Sequence, residues 1–171
     1  MKKLTLSVLA LLAMGSVTIA NANNGVYVGI GYTGTSIDID GFNNGGLALD
    51  TSSGFVVQSG FKMNDYFAVE ARYWNGDNNL DAWGLYVKPM YPVNYSLNVY
   101  GIVGYGNAST APSEYNNISL DDASLQWGLG AEYAITESFS VFIDYVELYN
   151  DQIINLDWSL DALNLGVTYQ F

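Results

Sequence analysis

The sequence predicts an all-β protein: an eight-stranded antiparallel up-and-down β-barrel that crosses a membrane. Three observations lead there. Runs of about ten residues alternate bulky apolar side chains with small or polar ones, which is the period of a β-strand and the length a tilted strand needs to cross a bilayer. After residue 22 no stretch of useful length has helical periodicity, and no compositional break marks a linker. The connections between runs alternate short and long, as in a barrel whose tight turns lie at one end and whose loops lie at the other.

The eight strands fall at about 25–37, 49–63, 66–76, 81–92, 97–108, 122–136, 139–149 and 160–171. Tight turns are expected at "KMNDY", "YPVNYS" and "ITESF". Longer polar loops are expected at 38–48, 109–121 and 150–159, with a shorter one around "NGDNN". The short turns then belong to the periplasmic side and the long loops to the extracellular side. The last run, "LNLGVTYQF", alternates up to its final residue, so it is expected to be tied into the sheet.

Period-two alternation alone does not say which face meets what, because a soluble sandwich or a lipocalin-like barrel also alternates, with its apolar face inward. The composition of the second face decides. In the third strand Phe67, Val69, Ala71 and Tyr73 alternate with Ala68, Glu70, Arg72 and Trp74. In the sixth, Leu125, Trp127, Leu129, Ala131 and Tyr133 alternate with Ser124, Gln126, Gly128, Gly130 and Glu132. The second set is rich in glycine and poor in the lysines and glutamates that coat a soluble sheet. It fits a crowded polar lumen, with the bulky apolar face turned to lipid. Aromatic residues also gather near strand ends: Tyr66, Phe67, Tyr91, Tyr95, Phe139 and Phe171 by the short turns, and Tyr32, Trp74, Trp83, Tyr105, Tyr149 and Trp158 toward the long loops. Two girdles at the membrane interfaces are expected from them.

The chain opens as a secretory signal does. Lys2 and Lys3 precede the apolar "LTLSVLALLAM", and Ala20-Asn21-Ala22 is a small-x-small cleavage site, so residues 1–22 are read as a cleaved signal peptide and 23–171 as the barrel domain. The formal net charge of −12 becomes −14 once Lys2 and Lys3 leave, and the remaining bases are Lys62, Arg72 and Lys88. That balance argues against nucleic acid as a partner. Cysteine and histidine are absent, which removes disulfides, thiolate chemistry, imidazole bases and histidine-ligated metals.

Several stretches resemble the small outer-membrane β-barrel ("porin family") proteins of Gram-negative bacteria, related to the OmpA and OmpX-type barrels. They are "NNGVYVGIGY", "GFVVQSGFKMNDYFAVEARYW", "LNVYGIVGYG" and "LQWGLGAEYAITESFSVFIDYVEL", and together they span most of the chain after the signal. The resemblance implies a location in the outer membrane, surrounded by its lipid and lipopolysaccharide, as a monomer. It also implies that Leu163, Leu165, Val167, Tyr169 and Phe171 form a C-terminal signal read by the barrel-assembly machinery. Family members often carry basic residues facing inward on the seventh strand, where this chain has Phe142, Asp144 and Val146. An arginine-lined lumen is therefore not carried over.

Alternation places Lys62, Glu70, Arg72, Lys88, Glu132 and Asp144 in the lumen, three of each sign. Isolated buried charges cost several kcal/mol each, so these six are expected to pair. Glu70 and Lys88 should lie at similar depth, and Arg72 should reach across to Glu132 or Asp144. An eight-stranded barrel is just wide enough for its own side chains, so a packed, ion-paired plug is expected ahead of a conduction path. The remaining acids cluster on or beside the long loops, from Asp38 and Asp40 to Asp157 and Asp161, with no base among them. They solvate the loops or attract divalent cations or a cationic surface partner. "DIDG" and "LDD" are too short for calcium loops, so no specific metal site is expected.

Some small outer-membrane barrels modify lipid A with a serine activated by histidine, which this chain lacks, so no catalytic residue and no cofactor is assigned. Two function classes follow. One is a non-enzymatic barrel acting through its extracellular loops in surface interaction, adhesion or envelope integrity; the other is a narrow channel for small solutes or cations.

Overall fold

A computed structural model of the chain describes residues 25–40, 47–77, 80–110, 120–153 and 156–171, and the expected signal segment lies outside them. Eight strands run in chain order: β1 (Gly25–Asp40), β2 (Leu47–Asn64), β3 (Phe67–Gly76), β4 (Leu80–Pro92), β5 (Leu97–Thr110), β6 (Leu120–Ala134), β7 (Phe139–Ile153) and β8 (Leu156–Gln170). Each pairs antiparallel with its neighbour, and β1 pairs with β8 to close the barrel. Closure leaves no unpaired sheet edge, which a hydrocarbon surround would not satisfy.

β4 shows why the sequence makes this wall. Ala82, Gly84, Tyr86, Lys88 and Met90 point into the barrel and are buried, while Trp83, Leu85, Val87 and Tyr91 point out and are exposed. A soluble sheet has the opposite polarity. The exposed face of the whole wall is of this apolar kind, including Ile30, Phe55, Val69, Val103, Leu129, Ile143 and Leu165, and water would not tolerate a continuous belt of that size.

The three short turns are held by side chains that accept backbone N–H groups. Asn64 Oδ1 accepts from Tyr66 at 2.8 Å, Asn94 Oδ1 from Ser96 and Leu97 at 2.9 Å, and Thr136 Oγ1 from Phe139 at 2.9 Å. These are Asx- and Ser/Thr-turns, which allow the chain to reverse within a few residues. At the opposite end the strands run further than expected. Within the segment 150–159, expected as a loop, residues 150–153 and 156–159 instead continue β7 and β8, which stay paired to Ile153↔Leu156. The ladder persists there because two antiparallel strands that are already paired satisfy their backbone groups most simply by continuing to pair.

Two of the expected girdle aromatics turn inward. Trp74 has the parity of Glu70 and Arg72 and is fully buried, so its position near a strand end did not place it at the interface. Tyr149 should have followed Tyr145 and Glu147 outward, but the ladder shifts between Glu147 and Tyr149. The bulge inserts one residue, and Leu148 and Tyr149 are both buried. Tyr32, Trp83 and Tyr105 do face out at that end, and Tyr66, Phe67, Tyr91, Tyr95, Phe139 and Phe171 at the other. The side chain of Trp158 lies outside the described residues.

Candidate functional site: the charged cluster in the lumen

The lumen brings five of the six predicted charged residues together. β3 supplies Glu70 and Arg72, β4 supplies Lys88, β6 supplies Glu132 and β7 supplies Asp144. Arg72 pairs with Glu70 through Nε, and its Nη1 lies 2.8 Å from Asp144 Oδ2. That second contact is an ion pair without the alignment of a directed hydrogen bond. Lys88 Nζ lies 3.3 Å from Glu70 Oε2 and 3.6 Å from Glu132 Oε2. Arg72 therefore reaches Asp144 and not Glu132, which is held by Lys88 instead. Lys62 stands apart: its ammonium is 4.0 Å from Asp65 beside the β2–β3 turn, both partly exposed, and a bulge between Lys62 and Asn64 bends β2 there.

Neutral residues that the charge pattern did not flag complete the cluster. Tyr27 donates to Glu70 at 2.5 Å, and Tyr100 donates to Asp144 Oδ2 at 2.7 Å. Asn164 Nδ2 donates to Asp144 Oδ1 at 2.8 Å while its own oxygen accepts from Trp74 Nε1 at 3.0 Å. Thr168 donates to Glu132 Oε1 at 2.9 Å. The cations also lie against rings: Lys88 Nζ is 4.0 Å from the Tyr100 centroid, and the Arg72 guanidinium is about equally far from Trp74 and Phe142, at 6.0 and 5.9 Å. Carboxylates that accept several bonds, and cations that lie over rings, are what make a buried charge cluster tolerable.

A signal for these partners exists in the ladder. Tyr27 stands opposite Gly60, Tyr86 opposite Gly104, Tyr100 opposite Gly130 and Phe142 opposite Gly166. In the last three pairs a Cβ on the glycine would meet the ring at 2.6 Å, closer than real Cβ atoms come. Each glycine is the space into which its neighbour's ring folds, so inward aromatic–glycine pairs mark the residues that fill the lumen.

The two ends of the lumen differ. Toward the extracellular end the cluster is followed by Trp74, Val56, Leu80, Val146, Leu148 and Leu160, all buried, and by Tyr86, which is hydrogen-bonded to Gln126. Toward the periplasm a polar cavity of about 530 Å³ opens, lined by Tyr27, Lys62, Lys88, Glu132, Thr168 and the turn residues Tyr95 and Thr136. Glu132, 20% exposed, is the cluster carboxylate that borders it. On the outside, Leu163, Leu165, Val167, Tyr169 and Phe171 all face outward, and the Tyr169 ring packs between Phe139 and Phe171 at 4.9 and 5.0 Å.

A family model for the outer membrane protein beta-barrel domain matches residues 6–171. No curated protein matches. Among solved structures the chain is similar in fold to Ail, the attachment invasion locus protein of Yersinia pestis, at 17% identity and a TM-score of 0.61, covering 87% of this chain and 99% of Ail. It is also similar to Neisserial surface protein A (16% identity, TM-score 0.55, 86% and 97% covered). The outer membrane protein OprG of Pseudomonas aeruginosa is a third (14% identity, TM-score 0.55, 87% and 97% covered).

Proposed function

The chain belongs to the outer membrane protein β-barrel family, and from that premise we propose that it is a non-enzymatic barrel with a plugged lumen that works through its extracellular end in surface interaction, adhesion or envelope integrity. The observation that carries this reading is the burial of the inward side chains, from Lys88 through Arg72 and Phe142 to Trp74 and Leu148, each at most 2% exposed. Filled by ion pairs and rings, such a lumen leaves the loops as the working surface.

Charge separates this chain from one of its structural neighbours. Ail is described in complex with a heparin analogue, sucrose octasulfate. A polyanion is a poor partner for a chain of net charge −12 whose basic residues after the expected signal are Lys62 near the periplasmic turn and Arg72 and Lys88 inside. A cationic surface, or an anionic one bridged by divalent cations, fits its loops better. Conductance of the refolded protein in a planar bilayer tests the plug: steady single-channel currents would replace it with the second reading, a narrow channel. The cavity at the periplasmic mouth favours that second reading.

The C-terminal alternation supports a role in assembly. Replacing outward Phe171 with a charged residue is expected to lower the fraction of heat-modifiable barrel in the outer membrane far more than the same change at Gln170. Equal insertion of the two variants would remove the assembly role.

A further inference from the structure

The periplasmic mouth of the lumen holds charges that the buried cluster does not use. Lys62 on β2 and Glu132 on β6 both border the polar cavity of about 530 Å³, as does Glu137 in the β6–β7 turn. In a closed ring of eight strands β2 and β6 are four strands apart in either direction, so the ammonium and the two carboxylates stand on opposite walls. Eight strands about 4.8 Å apart and tilted by about 40° make a ring ~16 Å across. Among the described residues Lys62 meets Asp65 and neither glutamate. The contact with Asp65 is 4.0 Å long, with 21% and 46% of the two side chains exposed, so it yields readily to another carboxylate. Glu132 accepts from Thr168 and lies 3.6 Å from Lys88, and a carboxylate has capacity for further donors. Asn98, Ser140 and Gln170, each half-buried, supply amide and hydroxyl groups to the same cavity.

We propose that this mouth is a binding site for a short zwitterionic peptide of dipeptide size, with its terminal carboxylate at Lys62 and its terminal ammonium at Glu132 and Glu137. A ligand of one charge sign would meet a like charge on one wall, whereas a zwitterion is matched on both. The termini of a dipeptide are about 7 Å apart, against ~3.5 Å for the single residue of a free amino acid, so the peptide bridges more of the ring. Its amide falls among Asn98, Ser140 and Gln170, and Met90, Ile135 and Tyr95 offer apolar surface to its side chains. The cavity volume is within the range of small-ligand sites. Lys88 and Tyr27, both buried, close the cavity on its inner side, so the ligand enters and leaves from the periplasm. The site depends on the mouth alone. It is independent of what the extracellular loops bind, so either reading can fail without the other.

The test titrates the folded barrel in detergent with dialanine near neutral pH and reads the amide chemical shifts of the isotopically labelled protein. Folding of each variant is verified by its heat-dependent gel mobility. The expected result is saturable binding that moves the signals of Asn98, Ser140 and Gln170. N-acetyl-dialanine, dialanine amide and free alanine each bind about tenfold more weakly, as loss of one charge-assisted contact implies. Lys62→Met weakens dialanine about tenfold and makes dialanine and its amide bind alike, whereas Lys62→Arg keeps the preference. Glu137→Gln narrows the preference over the acetylated peptide. Asp77→Asn, in the turn at the opposite end of the barrel, changes neither. Binding that does not saturate, equal binding of the amide or the acetylated peptide to the unaltered barrel, alanine binding as tightly as dialanine, or dialanine binding unchanged in Lys62→Met would each overturn the proposal.

Discussion

The two halves of the lumen solve the same packing problem with different chemistry. On the periplasmic side the interior is held by charges that each have two or more partners, and a polar cavity reaches the edge of that layer. On the extracellular side no base is buried: the large apolar side chains Trp74, Leu148, Val146 and Leu160 fill the interior, with the polar Thr33, Thr35, Gln126 and Asp161 buried among them. The difference predicts how each half fails. Removing one ion leaves another charge in a place where water is scarce, whereas removing an apolar side chain leaves a hole whose cost scales with its volume.

The largest effect is expected at Arg72, which joins Glu70 to Asp144. Arg72→Ala should cost about 3–5 kcal/mol in urea unfolding of the lipid-inserted barrel, and adding Asp144→Asn should recover part of that loss. An unchanged midpoint would mean that bulk water reaches the cluster and the halves do not differ. On the apolar side, Leu148→Ala should cost about 2–5 kcal/mol with no recovery from any polar partner change. Lys88→Met should cost less, about 1–3 kcal/mol, because Glu70 keeps Arg72 and Tyr27 and Glu132 borders the cavity. The smallest effect is expected at Lys62→Ala, below about 1 kcal/mol, since its pair with Asp65 is partly exposed. A loss at Lys62 matching that at Lys88 would return Lys62 to the cluster.

Where parity is unbroken, residue positions were legible from alternation alone: Glu70, Arg72, Lys88, Glu132 and Asp144 all face in, and Leu163 to Phe171 all face out. The misplaced residues have local causes. Tyr149 follows a bulge, and a bulge is a property of the pairing of two strands rather than of either sequence. Lys62 has inward parity but sits at another bulge, next to a closer acid. Tyr100 and Asn164 escaped notice because a search for charge does not register neutral donors, although Tyr100 stands opposite a glycine.

Seven of the eight strand pairings join neighbours in the chain, and the eighth joins β1 to β8. Of the eight strands, a ribosome or a translocation pore releases β1 first and β8 last. Hairpins can form early from local contacts, but the sheet stays an open ribbon with two sticky margins until β8 arrives. During that interval Ile30 and Tyr32 on one margin, and Leu165 and Val167 on the other, are sites where the chain could pair with a copy of itself. The topology thus makes β8 a timing device as well as a wall. Until the two margins meet, their backbone groups need another partner, water or protein.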